Sequence, residues 1–394
     1  MPVKKMRLKL FLRFVMKIAL LTAVTAVLGY CVRNAVISTW NEEESWIVRL
    51  QTWQPHQARP EEAAESSDDP NSSNWQVKKT DVLVTFLTGG EKGTTASLTA
   101  DQLEGNRLKL ESGRTYLLVR DKFEDGTVQW SIADRFRLPW VAMFVFFVCG
   151  VLVIGAGKAG VRALCGLGFS LLFLTKVFLP MILSGYSPVL AAVLAVAVSS
   201  VATVVMVVRR PRWRLVAFAG SVGGCLAAFG CGWLGIWLWQ LSGMASDHGI
   251  LLAGTLPGLN MESVFLASII IGATGAVHDV AISISSALAE LAEYDSLISI
   301  TRLWRSGVSV GKEILGSMVD TLVLAYFGGS LFTVLLLAQA QPQWQLLFND
   351  PMVAQEIIQS LAGTMGLVLT VPITAFAGIW SVARSRSRRH SQWR

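Results

Sequence analysis

Long apolar runs separated by short polar segments dominate this chain, and they predict membrane-spanning helices. A helix needs about 20 mainly apolar residues to cross the hydrocarbon core of a bilayer. The runs of that length are 12–32, 138–157, 163–184, 188–208, 214–240, 264–288, 314–338 and 361–382. We therefore predict an α-helical polytopic membrane protein with about eight transmembrane helices. The third run is the weakest of them because it contains Lys176 and Pro180.

One sizeable polar region separates the first apolar run from the second. Residues 34–74 are acidic and rich in Ser, Pro and Ala, which is typical of a flexible linker. Residues 75–137 contain "DVLVTFLTG", "TYLLVR" and "EDGTVQWSIADRF", whose alternating apolar positions are typical of β-strands. We expect a small β-rich domain between helices 1 and 2, a barrel or a sandwich, that acts as a cap or a docking module.

The positions of Lys and Arg predict the orientation in the membrane. These residues occur in the N-terminal tail, in the loops after the second, fourth and sixth runs, and in the C-terminal tail, whereas the loops 185–187, 241–263 and 339–360 contain none. Cytoplasmic loops carry the excess of positive charge. Both termini are therefore predicted to be cytoplasmic, and residues 34–137 extracytoplasmic.

This topology divides the chain into five parts. They are a basic tail with the first helix (1–33), the acidic linker (34–74), the β-rich domain (75–137), a seven-helix membrane domain (138–384) and a basic tail (385–394). The first apolar run is predicted to be a retained helix and not a cleaved signal peptide, because no small-x-small cleavage site follows it cleanly.

Composition agrees with a membrane protein and excludes some partners. The chain is 53% hydrophobic and 15% charged, with a mean hydropathy of +0.51. Its net charge of +7 does not indicate nucleic-acid binding, because the basic residues lie mainly at the ends of apolar runs. All the cysteines fall in apolar segments, so neither a disulfide framework nor a cysteine-based zinc site is predicted. We expect no cofactor and no metal.

The sixth run contains polar groups that lipid penalises. In "GATGAVHDVAISISSALAEL" the residues that recur at three- and four-residue steps, and so share one helical face, are Gly272, Gly275, Asp279, Ser283, Ser286 and Glu290. His278 lies on an adjacent line. A carboxylate at that depth costs about 2.5–3.5 kcal/mol on insertion scales. The polar face is therefore expected to meet another helix or water.

The seventh run offers a partner for that face. It contains Asp320 and Tyr326, with Lys312 shortly before it. The glycines predicted to pack the two helices together are Gly272, Gly275, Gly307, Gly311 and Gly316. In an antiparallel pair Asp279 and Asp320 would lie at similar depth, which predicts a shared polar pocket. Two like charges at close range would raise the pKa of at least one of these carboxylates and make it a usable proton carrier.

Plainer interpretations of the same residues remain open. Glycine and serine stripes often serve only close helix packing, and serine hydroxyls can bond to their own helix. Glu290 and Lys312 can be ordinary charges at helix ends. His278 can be an interior histidine with a satisfied ring. Only for the two aspartates does burial without a functional role carry a high free-energy cost. They are therefore the strongest candidates for functional residues.

Three sequence blocks carry a resemblance to a known family. They are "GATGAVHDVAISISSALAEL", "SGVSVGKEILGSMVDTLVLAYFGGS" and "FNDPMVAQEIIQSLAGTMGLVLTVP". In this order the chain resembles the YibE/F family of bacterial multi-pass membrane proteins, from the small polar domain onward and most densely over 270–375. The resemblance implies a bacterial plasma membrane and, in some cases, a paired paralogue; it implies no established activity. His278 stands where Met is expected and Asp320 where Asn is expected, so the acid pair can belong to a subgroup.

Three function classes follow from these residues. The first is a transporter or permease of an unknown small solute or ion, proton-coupled through the acidic pocket. The second is a non-catalytic scaffold or accessory subunit whose β-rich domain binds a partner, with a paralogous or homo-oligomeric membrane partner. The third, an intramembrane hydrolase, is disfavoured because the Gly-x-Gly-Asp motif of intramembrane aspartyl proteases and the HExxH motif are absent. We expect no catalytic residues.

Overall fold

The computed structural model describes residues 2–39, 45–55, 77–89, 92–103, 110–122, 128–295, 298–340 and 343–391. The chain forms two compact units, Met1–Gly157 and Lys158–Arg394. The predicted seven-helix domain began at residue 138, whereas the helix that starts there belongs to the first unit.

Two long helices of the first unit form an antiparallel pair. Helix α1 spans Pro2–Thr39 and helix α2 spans Leu138–Ala156. A Cβ built on Gly29 would lie 3.2 Å from Met143 Cβ, and the Leu21 side chain covers Gly150. A glycine in each helix thus lets the other helix approach closely. These helices correspond to the first and second predicted runs.

Five strands between α1 and α2 close into a small barrel. They are β1 (Ser45–Pro55), β2 (Val77–Phe86), β3 (Thr95–Leu103), β4 (Thr115–Lys122) and β5 (Val128–Arg135), in the order β1-β2-β3-β5-β4. Neighbouring strands are antiparallel except β3 and β5, where Ala100 pairs with Trp130. This strand order, with its one parallel pair, is that of the OB barrel. The predicted β-rich domain is therefore a barrel.

The first strand corrects the predicted linker, since β1 lies inside 34–74. Trp46, Val48 and Leu50 are buried in the core of the barrel at alternate positions, and Ile47 between them is buried as well. The acidic composition of the stretch that follows masked this signal. Residues 56–76, which hold most of the acidic stretch, lie outside the described residues.

A cluster of charged residues, Glu111, Arg114 and Arg135, forms hydrogen bonds at one end of the barrel. The Glu111 carboxylate accepts hydrogen bonds from Arg114 Nε and Arg135 Nη2, each at 3.0 Å. Its backbone N–H donates to the buried Tyr116 hydroxyl at 2.8 Å. The guanidinium groups of Arg135 and Arg114 hold the pKa of Glu111 below its ordinary value of 4.5.

This cluster gives the barrel a pH dependence. A carboxyl group whose pKa is lower in the folded state stabilises the fold above its ordinary pKa and loses that contribution as pH falls through the folded-state pKa. We therefore expect hydrogen exchange in the peptide around 110–120, corrected for intrinsic rates, to be constant from pH 7 to pH 5 and to accelerate below about pH 4. Glu111→Gln should exchange faster at pH 7 and respond less to acid. An identical acid response in both proteins would contradict the prediction.

The second unit is helical. Its elements are α3 (Lys158–Phe173), a π-helical turn (Leu174–Phe178), α4 (Leu179–Leu183), α5 (Pro188–Val207), α6 (Pro211–Trp239), α7 (Asp247–Thr255), α8 (Met261–Tyr294), α9 (Ile300–Gly329), α10 (Leu331–Ala340), α11 (Trp344–Asn349) and α12 (Pro351–Ser391). Proline opens α5, α6 and α12, where its missing N–H costs nothing. Asp350 caps α12, accepting from the Met352 N–H at 2.9 Å.

Helices α6, α8 and α12 form the core of this unit. Thr370 and Thr374 of α12 donate to the carbonyl oxygens of Gly366 and Thr370, each at 2.7 Å, so their hydroxyls need no outside partner. The side chain of Thr370 then fills the space over Gly224 of α6. These small residues bring the helix backbones together, as is typical of membrane helices.

Helix directions in this unit alternate along the chain. Helix α8 runs antiparallel to α6, since Gly232 packs on Ile269 and Gly224 on Val277. It also runs antiparallel to α9, where Gly307 packs on Leu288. This alternation is the one that the basic loops predict within residues 158–391.

The predicted spans are present as long apolar helices, two of them distorted. Seven helices of the described chain are long and apolar enough to cross a membrane, or eight if α9 and α10 form one span bent by 62°. The third run is interrupted by the π-helical turn around Lys176. The seventh, predicted as a straight helix over 314–338, bends after Gly329.

Candidate functional site

Helix α8 carries the polar residues through the middle of the second unit. Asn260 caps its start by accepting from the Ser263 N–H at 2.9 Å. The helix then continues for 34 residues, mostly of helix-compatible Ala, Ile, Val and Leu. His278 and Asp279 lie near its midpoint. A polar group in the middle of a long apolar helix is costly in a bilayer, which makes its surroundings informative.

A cavity of about 610 Å³ lies beside this midpoint, between α3, α5, α8 and α9. Its polar lining consists of Ser170, Ser199, Thr203, Thr274, His278, Asp279 and Ser283. The remaining lining is apolar and includes Leu174 of the π-helical turn and Met318 of α9. Apolar walls with a few convergent polar groups, at a volume within roughly 300–1,000 Å³, are typical of small-molecule sites.

Hydrogen bonds between helices hold the polar wall of the cavity. The buried His278 ring places Nε2 2.6 Å from Ser200 Oγ. At the preceding residue of α5, Ser199 Oγ lies 2.7 Å from Ser170 Oγ, which joins α3 to α5. His278 is thus an interior histidine with a hydrogen-bonded ring, and its outer edge still lines the cavity.

Among the described residues that line this cavity, Asp279 is the one acidic group. The residue is exposed toward the cavity that it lines. Within the described chain it has no ion pair and no hydrogen bond, so no cation neutralises it. Lys176, a potential counter-ion on the π-helical turn, does not line the cavity. A carboxylate held this way is available to a proton or to a cationic solute.

Asp320 lies at a similar depth but does not share the cavity. The α8–α9 contacts pair Leu288 with Gly307 and Gly272 with Tyr326, so Asp320 is within about one turn of the level of Asp279. Among the described residues that line the cavity, however, α9 contributes Met318 and not Asp320. The Asp320 side chain is exposed on another face of its helix.

The remaining predicted residues divide into two groups. Ser283 lines the cavity, whereas Ser286, Glu290 and Lys312 are exposed outside it. Tyr326 packs between α8 and α12, where its hydroxyl oxygen covers Gly272 next to the Gln359 side chain. The cavity therefore unites Asp279, His278 and Ser283, and leaves the other candidates on separate surfaces.

The predicted packing glycines fall into those that contact a neighbouring helix and those that do not. Gly272, Gly307 and Gly311 meet side chains of neighbouring helices. Nothing lies within 4 Å of a Cβ built on Gly275 or on Gly316. Gly275 lines the cavity, so its missing side chain leaves that space open. The two tightest of the described glycines, Gly220 and Gly224, are on α6, a helix that the sequence interpretation did not single out.

Sequence reasoning missed the half of the site on α3 and α5. Ser199, Ser200 and Thr203 lie in the apolar run 188–208, and Ser170 lies in 163–184. The signal was available as three hydroxyl residues in "SSVAT". Serine and threonine satisfy themselves on their own helix, however, so the pattern alone does not separate a site from packing.

These features define a class of protein. Long apolar helices, alternating helix directions and a polar cavity at mid-helix depth belong to a multi-pass membrane protein. The model of the family described as YibE/F-like protein matches residues 143–384, and the chain belongs to this family. The matched range begins within α2, so the barrel is outside it. No curated protein and no solved structure matches the chain.

Proposed function

We propose that the protein is a membrane transporter or permease for a small solute or ion, coupled to protons through Asp279. The observation that supports this most directly is the 610 Å³ cavity in which an unpaired carboxylate faces apolar walls. Water occupies roughly 30 Å³ per molecule, so this volume accommodates a small hydrated ion or organic solute. The substrate class that fits is small and neutral or cationic.

Distorted helices support the same proposal. Leu174, in the π-helical turn, lines the cavity, and Pro180 follows closely in α4. Helix α9 ends in a bend of 62° after Gly329. Transporters use interrupted helices next to their binding sites. A break in a helix frees backbone N–H and C=O groups, which a membrane protein tolerates where they line a cavity. Both distorted spans pack around the proposed site or its neighbouring helix.

A hydrolase is the weaker proposal. Ser200 and His278 form a close pair, but Ser200 is fully buried and does not line the cavity, so a substrate cannot reach its hydroxyl. The segment Gly307–Gly311 has the G-x-S-x-G spacing of serine hydrolases. It lies inside α9 and not at a strand-to-helix turn, so it lacks the geometry of a nucleophile. We propose that the protein has no catalytic residues.

The proposed placement is a bacterial plasma membrane with both termini in the cytoplasm and the barrel outside. The Lys and Arg distribution supports this orientation. The barrel, as an extracytoplasmic module at the end of two spans, suits a cap or a docking role.

Filling the cavity tests the transport proposal. Gly275→Leu adds a side chain into the cavity without a clash, since nothing lies within 4 Å of its Cβ. We expect solute or proton flux in proteoliposomes to fall at least about tenfold, because the site volume is lost. Gly316→Leu is the matched control, as that Cβ also meets open space but lies outside the lining.

Two outcomes would count against transport. Equal flux in wild type and Gly275→Leu would mean that solute does not pass through this cavity. If wild type shows no flux of protons, cations or small neutral solutes, the protein is better explained as a subunit of a membrane complex.

The second candidate is a subunit of a membrane complex, supported by the exposed face of α9. Lys312, Glu313, Ser317, Asp320 and Thr321 are exposed there. Charges of this kind cost about 2.5–3.5 kcal/mol each at the centre of a bilayer, so the face suits a protein partner better than lipid. In a two-fold pair, Lys312 of one copy would lie level with Glu313 of the other. Native mass spectrometry that found one copy without a partner would contradict this candidate.

A further inference from the structure

The end of the central cavity nearest the start of α8 is covered by a tyrosine. On α8 the described lining of the cavity extends from Ser283 back to Ile271. At the neighbouring Gly272, a Cβ would clash with the Tyr326 hydroxyl of α9 and lie 3.7 Å from Gln359 Nε2 of α12. Side chains from two other helices therefore meet over α8 at the level where the lining stops.

Tyr326 covers the same face of α8 that carries Asp279. Gly272 and Asp279 are seven residues apart, which is nearly two helical turns, so both point to the same side of the helix. The rise over that distance is about 10 Å. A solute that approaches Asp279 along this face from the start of α8 therefore meets the Tyr326 hydroxyl first.

Packing on α12 holds the Tyr326 ring in this position. Its Cε2 atom lies 3.8 Å from the point that a Cβ on Gly363 would occupy, and Leu322 Cδ2 lies 3.0 Å from the same point. The Gln359 side chain interacts with the hydroxyl. The hydroxyl is thus held across α8 by packing and by one polar neighbour, which a change of side-chain rotamer can release.

A polar cluster of Gln355, Glu356 and Gln359, here called the outer cluster, lies next to Tyr326 toward the start of α12. These residues are neighbours at three- and four-residue steps on one helix. Glu356 acts electrostatically on Tyr326 and, in the described chain, has no cation as an ion-pair partner. Gln355 Nε2 is buried without a hydrogen-bond partner among the described residues. Buried polar groups are normally bonded to protein or to water, so the outer cluster suits a place that water enters.

We propose that the outer cluster is an entrance for a cation and that the Tyr326 hydroxyl is the gate between this entrance and the central cavity. The inference rests on the proposed transport function and narrows its substrate class to cations. A carboxylate without a cationic partner in the described chain lies on each side of the gate, Glu356 before it and Asp279 behind it. Two such carboxylates attract cations and repel anions. In the proposed orientation the entrance faces the extracytoplasmic side.

Cysteine labelling measures this gate without measuring transport. Gly275→Cys, at a position that lines the cavity, is introduced into the full-length protein after its native cysteines have been replaced by alanine. Impermeant thiol reagents are added from the extracytoplasmic side of right-side-out vesicles. We expect Tyr326→Ala to raise the rate of labelling by a cationic reagent roughly tenfold or more, because the gate is removed. Phe327→Ala is the matched control, since that side chain is 53% exposed and its loss should leave the rate unchanged.

Tyr326→Phe guards against misfolding in this experiment. It keeps the ring against Gly363 and removes only the hydroxyl over Gly272, so the labelling rate should rise by a smaller factor than in Tyr326→Ala. Equal rates in the wild-type, Tyr326→Ala and Tyr326→Phe backgrounds overturn the gate, and so does the absence of labelling in all three. A rise in Tyr326→Ala alone would place the barrier in the ring and overturn the role of the hydroxyl.

The charge of the reagent tests the entrance. In the Tyr326→Ala background, a cationic reagent should label Gly275→Cys about tenfold faster than an anionic reagent of similar size, after correction for their rates with a free thiol. Glu356→Gln should remove most of this preference. Glu262→Gln should retain it, because Glu262 is exposed at the start of α8 and its charge is screened by salt. A preference that Glu356→Gln leaves intact overturns the cation entrance.

Failure of the gate and failure of transport give different results. Labelling that depends on Tyr326 in a protein without flux would support the gate and contradict the transport proposal alone. Flux of a cation with labelling rates that ignore Tyr326 would support transport and overturn the gate.

Discussion

Asp279→Asn is expected to abolish proton-coupled flux in proteoliposomes, whereas Asp320→Asn is expected to retain it. Asparagine preserves the size of the side chain but can neither carry a proton nor attract a cation. Asp279 lines the central cavity without a partner among the described residues, so its charge has no other role there. We expect a loss of at least about a hundredfold in coupled flux, since no second acid in the lining can replace it.

The comparison is informative because the two aspartates differ in one respect. They lie within about one helical turn of the same depth, and both side chains are exposed, but only Asp279 lines the cavity. Flux is measured at matched insertion and folding, with a pH-sensitive dye inside the vesicles. If both variants lose flux equally, the carboxylates act together, as the sequence suggested. If Asp279→Asn conducts as well as wild type, the proton-coupling proposal is wrong.

Gly224→Leu is expected to destabilise the second unit more than any change within the cavity. A Cβ at Gly224 would lie 2.8 Å from Val277 Cγ1 and 3.2 Å from the Gly366 carbonyl oxygen, and it would also clash with Thr370 Oγ1. The Gly366 backbone and the β-branched side chains of Val277 and Thr370 cannot move aside as the end of a flexible side chain can. Overpacking of this kind costs about 1–3 kcal/mol and more when backbone must move.

Gly230→Leu on the same helix is the matched control. Nothing lies within 4 Å of its Cβ, and the residue is exposed. Thermal stability in detergent, followed by size-exclusion chromatography of the heated protein, should fall by roughly 5 °C or more for Gly224→Leu. It should remain near wild type for Gly230→Leu. Equal stability of the two variants would mean that α6 and α12 do not pack through Gly224.

Part of the candidate site was accessible from the sequence because of its chemistry. His278, Asp279 and Ser283 are polar residues in an apolar run. An ionisable group in a membrane span indicates function because placing it in the bilayer costs free energy. The pairing of Asp279 with Asp320 was not accessible. Helical spacing gives the face of each residue on its own helix, but the rotation of one helix against its neighbour depends on packing. Here Leu322 packs toward Gly363 of α12, while Met318 lines the cavity, and Asp320 is left on another face.

Local patterns also explain the outcome for the barrel. Strands β2, β4 and β5 follow from their alternation, whereas β1 was hidden by the acidic residues that follow it. Its inward residues Trp46, Val48 and Leu50 gain their burial only when β1 pairs with both β2 and β4. A strand whose partners are 25 or more residues away carries no local signal of that closure.

The sequence by itself determined the class of this protein, its apolar spans, the alternation of their directions and the residues that are costly to bury. These properties depend on transfer free energies of single side chains and on charge near helix ends, which add along the chain. Only the tertiary structure decided which polar residues share a cavity, that Ser170 and Ser199 line it from α3 and α5, and that Ser200 contacts His278 beside it. These juxtapositions depend on helix rotation and register, which close packing of small residues sets and which no single segment encodes.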